Sequence, residues 1–221
     1  MALLFVFFEN RLFEFSGLLV APGFTLALVL IMFDLRQNTG GLFATHMRSE
    51  GARLLEAIEE VIGIARDAGL PLQISHLKTA GKKNWDKLDA AFELIEGARA
   101  AGQDVTCDRY PYIASNTHLS ALLPDWVHNG QLDEKLARLR EPASRNRIRG
   151  ELMETYPAAD YWGRVLISRV LTEKNSFCEG LTVAGLAEKR GVDSPEAMMD
   201  LLVEEKLSVE ILIFMMSEEN M

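Results

Sequence analysis

The sequence predicts an α/β fold, part of a (β/α)8 barrel, with an open doubly wound sheet as the alternative. Three observations lead there. Short apolar segments alternate with amphipathic helical segments, β-α-β-α-β, from residue 41 to about residue 112. The first two strand segments each end on a histidine, His46 and His76, at the sheet edge where such folds carry their chemistry. No GxGxxG or GxxxxGK[ST] follows any strand, which lowers the nucleotide-binding version of the open sheet.

At 221 residues the chain can bury a sizeable core. Its 48% hydrophobic and 25% charged residues are ordinary for a globular protein. A net charge of −9 with no basic stripe argues against nucleic acid as a partner. Cys107 and Cys178 make no CxxC pair and no disulfide framework, so a reducing, cytoplasmic setting is expected.

Residues 1–39 differ from the rest and form an atypical apolar segment. After MALLFVFF comes GLLVAPGFTLALVLIMF, seventeen residues without a charge. That approaches the roughly 20 residues of a membrane span. Pro22–Gly23 interrupts it, however, and no basic cluster precedes it. The expectation is a short strand near residues 18–20, a Pro-Gly turn and a buried helix over 25–36, with no membrane partner.

Residues 40–221 form the predicted barrel domain. Residues 41–46 read as a strand. Leu54, Leu55, Ile58, Val61, Ile62 and Ala65 then recur at helical spacing, and Gly69 supplies the stop. Residues 70–76 read as the next strand, which closes a βαβ unit with parallel neighbours. A second helix is expected to start with Asn84 as cap and to bury Trp85, Leu88, Phe92 and Ile95. Gly102 ends it, and Val105 and Cys107 alternate in a third strand.

From 113 to 160 the alternation breaks. A loop-rich run and two charged helices parted at Glu141–Pro142 read as an insertion or lid over a sheet edge. Residues 163–171 and 209–216 read as strands. Between them lie two short helices, the second capped by Ser194 with Pro195 at its first position.

Two parallel neighbours ending in histidine bring two imidazoles together, thirty residues apart in sequence. Converging imidazoles suit Zn2+, whose catalytic sites usually take three protein ligands. A single histidine on its own reads more readily as an ordinary polar strand end; it is the pair that points to a metal. Arg48 and Lys78, each two residues beyond a histidine, could hold a substrate carboxylate or simply face solvent. Tyr110, beyond Asp108 and Arg109, could donate to a substrate or pack. His118 and His128 fall in the insertion and read as surface or lid residues.

Several motifs in order carry a resemblance. ATHMRSEG, QISHLK, DRYPYIASNT with ALLPDW, and RVLTEKN followed by EG are similar to the D-aminoacylase (N-acyl-D-amino-acid deacylase) branch of the amidohydrolase superfamily. SGLLVAPG at 16–23 is a fainter echo. The resemblance runs from about residue 40 to 219, roughly four-fifths of the chain. It implies a metal-dependent (β/α)8 barrel hydrolysing the amide of N-acyl-D-amino acids. His46 and His76 would be zinc-ligand histidines of the fifth and sixth strands, with Lys78 and Tyr110 near the carboxylate of a small-molecule N-acyl amino acid.

The sequence also departs from that family. It has no HxH, no cysteine ahead of the two histidine strands, and no SDG with its catalytic aspartate. Asp108 or Glu50 could stand in as base, but nothing in the sequence aims either at a metal, and no catalytic residue is assigned. The expectation is a partial chain holding only late barrel strands, with impaired activity and an open edge through which copies could self-associate. The alternatives are a non-catalytic binding or assembly piece and a membrane-anchored protein.

Overall fold

A computed structural model of the chain describes residues 3–8, 11–16, 41–157 and 160–220. The chain divides into two compact units, residues 1–113 with 216–221, and residues 114–215. The strand expected at 18–20, the helix at 25–36 and the candidate membrane run lie outside the described residues. Among the described residues, no helix is long and apolar enough to cross a membrane.

The first unit holds β1 (Leu3–Phe8), β2 (Arg11–Ser16), β3 (Leu42–Thr45), α1 (Leu54–Asp67), β4 (Leu72–Ile74), α2 (Leu88–Ala100) and β5 (Val105–Cys107). Their sheet runs β2-β1-β3-β4-β5. β3, β4 and β5 are parallel, while β1 lies antiparallel to both β2 and β3. The N-terminal hairpin thus pairs along β3 through β1.

The βαβ unit forms because its two periodicities agree on one core. Alternation buries Phe43 and Thr45 of β3 and Leu72 and Ile74 of β4. The 3.6-residue repeat of α1 buries Leu54, Ala57, Ile58, Val61, Ile64 and Ala65 on the same side. Gly69 ends the helix at φ +63, and the Leu70 N–H reaches back to Ala65 O at 2.9 Å. Fully buried Ile58 sits mid-helix; truncating such a residue to alanine costs about 2–5 kcal/mol.

The second helix departs from expectation. A 3-10 turn over Lys82–Lys87 precedes it, and α2 begins only at Leu88. Its buried face is Ala91 and Ile95, so Phe92 turns outward and is 43% exposed. Asn84 is not a helix cap. Its amide donates to Ala80 O at 2.7 Å and its carbonyl accepts from Lys87 at 2.9 Å.

The second unit holds β6 (Ala114–His118), α3 (Leu132–Arg140), α4 (Pro142–Thr155), β7 (Val165–Arg169), α5 (Val183–Arg190), α6 (Ser194–Glu204) and β8 (Glu210–Phe214). Residues read as loop at 114–118 are a strand, and both expected later strands join it in an antiparallel sheet, β6-β8-β7. They do not continue the parallel alternation. The two helices do part at Glu141, with Pro142 opening α4. Thr182 caps α5. Asp193, not Ser194, caps α6, accepting from Glu196 N at 3.0 Å, and Pro195 is the second helical residue.

Candidate metal and substrate site

The strand ends of the first unit are level. Thr45 pairs with Ile74, and Ile74 with Cys107. His46 follows its strand by one residue and His76 by two. A continued pleat would send them to opposite faces of the sheet. The backbone at His76 prevents this by turning left-handed, at φ +44. A non-glycine residue there carries roughly 1–3 kcal/mol of strain and persists only where its surroundings fix it.

Asp108, one residue beyond β5, does the fixing. Its Oδ1 accepts the His76 backbone N–H at 2.7 Å, and its Oδ2 accepts from Gln73 Nε2 at 2.7 Å. The Asp108 N–H in turn donates to Ile74 O at 3.1 Å, and Leu77 N–H donates to Asp108 O at 2.9 Å. Nothing in the sequence beyond the strand-end position pointed to this role.

As a result the two imidazoles meet. His46 Nδ1 and His76 Nε2 are in direct contact, with ring centroids 4.4 Å apart. Behind His76, its Nδ1 lies 2.6 Å from Glu50 Oε1 and 2.7 Å from Lys78 Nζ. Lys78 Nζ donates to the same Glu50 oxygen at 2.5 Å. Glu50 sits in the loop after β3, and its carbonyl is held by the Ala80 N–H at 2.7 Å.

The electrostatics follow from burial and charge. Burial holds the His46 imidazole below its ordinary value, and a charge on His76 would lower it further. Burial alone would raise the Glu50 carboxyl, but hydrogen bonds from His76 and Lys78 and the ammonium charge bring it below the usual range. Lys78, only 4% exposed, is pushed down by burial, with Glu50 opposing and Arg109 adding to the fall.

The other sequence candidates are placed as follows. Arg48 does not approach the histidines with a free charge; its guanidinium is ion-paired with Glu60 of α1. Tyr110 lies with its ring 5.4 Å from Lys78 Nζ. Arg109 has a buried Nη2 without a hydrogen-bond partner among the described residues. His118 and His128 belong to the second unit, at the ends of β6 and of a 3-10 turn. Cys107 and Cys178 are free thiols.

The donor chemistry fits two ligands of a metal site. Two imidazole nitrogens converge, and a carboxylate stands behind one of them, the arrangement that orients metal-binding histidines. Among the described residues, no three His, Cys, Asp or Glu side chains are grouped to hold a metal ion.

No family model matches the chain. Over 80 residues it is 45% identical to the D-aminoacylase of Alcaligenes xylosoxydans xylosoxydans, a match covering 36% of this chain and 16% of that enzyme. A D-aminoacylase structure described as defining a subset of amidohydrolases superposes with a TM-score of 0.58 at 28% identity, over 89% of this chain and 32% of that one. The N-acyl-D-glutamate deacylase of Bordetella bronchiseptica, solved with zinc and a phosphonate inhibitor, gives a TM-score of 0.63 at 21% identity, over 94% and 34% of the two chains. That second likeness concerns the fold alone. The chain thus spans only a minor part of the length of these proteins. By sequence over 80 residues and by α/β fold, the chain is similar to part of the D-aminoacylases (N-acyl-D-amino-acid deacylases), a group of amidohydrolases.

Proposed function

We propose that His46 and His76 are the paired histidines of a divalent-metal site serving hydrolysis of the amide bond of N-acyl-D-amino acids. In this reading β3, β4 and β5 are consecutive late strands of a (β/α)8 barrel. The observation that carries the proposal is the meeting of His46 Nδ1 and His76 Nε2 at the carboxyl ends of parallel neighbours. The relatives supply the reaction class.

His46 Nδ1 and His76 Nε2 would hold the cation, and imidazole donors favour Zn2+. When bound, it supplies Lewis-acid polarisation of the scissile carbonyl and an activated water. Lys78, beside His76, and Tyr110, whose ring lies 5.4 Å from Lys78 Nζ, are the groups proposed to orient a substrate carboxylate, and Arg109 adds positive charge near Lys78. Arg48 would join them only by leaving Glu60. No general base is assigned within this chain.

Titration of the purified chain with Co2+, followed by its visible absorption, tests the site. About one equivalent is expected to bind, to be displaced by Zn2+ and to be lost in His46→Ala. Binding unchanged in that variant would overturn the proposal.

A further inference from the structure

Glu50 holds the one carboxylate within hydrogen-bond distance of the His76 ring among the described residues. Its Oε1 is shared by two nitrogens, His76 Nδ1 at 2.6 Å and Lys78 Nζ at 2.5 Å. Those nitrogens are themselves 2.7 Å apart. Two proton arrangements compete. In the first, Nδ1–H and the ammonium both donate to the carboxylate oxygen, which has two lone pairs to receive them. In the second, Lys78 donates to a bare Nδ1, and the anionic oxygen then faces a nitrogen lone pair at 2.6 Å with no proton between them. The first places a proton on each short contact to the anion, makes both charge-assisted and leaves only the 2.7 Å Nδ1–Nζ contact unbridged, whereas the second leaves the anion itself facing a lone pair.

We infer that Glu50 is a positioning residue for His76: by accepting the Nδ1 proton it fixes the tautomer whose bare Nε2 faces His46. The inference deepens the metal-site reading and rests on it for its purpose, since only a bare Nε2 can serve as a ligand. Lys78 holds the carboxylate in place and offsets its charge. The Ala80 N–H anchors the Glu50 main chain, so the carboxylate is set by the loops after both histidine strands.

The test has two arms. In the metal-free, 15N-histidine-labelled chain, long-range 1H–15N correlation reports the His76 tautomer directly. The wild type is expected to carry its proton on Nδ1, Lys78→Met to leave it there, and Glu50→Ala to move it at least partly to Nε2. In the second arm, Zn2+ affinity by chelator competition is expected to fall about 10–100-fold in Glu50→Ala. A wild-type proton on Nε2, or a tautomer that changes with Lys78→Met, overturns the inference, and the wild-type spectrum requires no variant to fold. A chain that binds no Zn2+ but keeps Nδ1–H through Glu50 would sink the metal-site reading and leave the hydrogen bond standing.

Discussion

His46 Nδ1 and His76 Nε2 face one another from the ends of two adjacent parallel strands, thirty residues apart in sequence. Groups that act on one occupant are not independent, and their substitutions should not add. His46→Ala and His76→Ala are each expected to remove nearly all Zn2+ binding, and the double variant little more. Isothermal titration of the three proteins would check this. A double variant far weaker than either single one would mean that the two rings bind separately.

Asp108 ties the left-handed His76 backbone to β5 and to Gln73. Asp108→Ala leaves that N–H without its acceptor, which costs about 1–3 kcal/mol. It also frees His76 to leave the conformation that turns its ring toward His46. The expected outcome is a lower urea midpoint together with weaker Zn2+ binding. Asp108→Asn, which keeps an acceptor oxygen, is expected to recover part of both. A stability loss without any change in metal affinity would make Asp108 a brace for the fold alone.

The sequence made the βαβ unit legible because apolar spacing, the Gly69 stop and the strand-end histidines all agreed. The register of the site was not legible. Residue counting sends His46 and His76 to opposite faces, and only the positive φ at His76, held by a carboxylate from a third strand, reconciles them. Glu50 was equally hidden, since its partners come from another loop. Local signals also misplaced α2, where the 3-10 turn shifts the helix start and rotates Phe92 outward. The antiparallel sheet of the second unit rests on pairing between β6 and β8, residues about a hundred positions apart, which no local periodicity records.

Glu205 gives the second unit a pH dependence. It is 1% exposed, and its carboxylate accepts from Leu171 N at 2.7 Å, Thr172 N at 3.0 Å and Asn175 Nδ2 at 2.6 Å, as well as the Thr172 hydroxyl. Burial alone would raise this carboxyl, but the hydrogen bonds overcome it and the folded value lies below the ordinary 4.5. A depressed folded value means stability that is present above the ordinary range and lost as pH falls through the folded one. Glu205→Gln is therefore expected to cost roughly 2–3 kcal/mol at neutral pH. The gap to the wild type should narrow as pH drops below about 4.5. Urea unfolding of both proteins at pH 7 and in acid would show it, and a gap that stays constant with pH would remove the charge from the explanation.

The 221-residue chain by itself is expected to show no deacylase turnover above background. The reasoning is a count of ligands and bases. Two imidazoles converge, and among the described residues no third His, Cys, Asp or Glu is grouped with them, whereas catalytic zinc sites ordinarily use three protein ligands. Glu50 is occupied by His76 and Lys78, and Asp108 by the His76 backbone and Gln73. Both carboxylates are already engaged with other groups, and a positioned general base typically contributes about 10²–10⁴-fold. The assay supplies Zn2+ and N-acetyl-D-methionine and follows release of free amine. Turnover that disappears with chelator and in His46→Ala would show that the pair, with whatever base assists it, suffices for the chemistry.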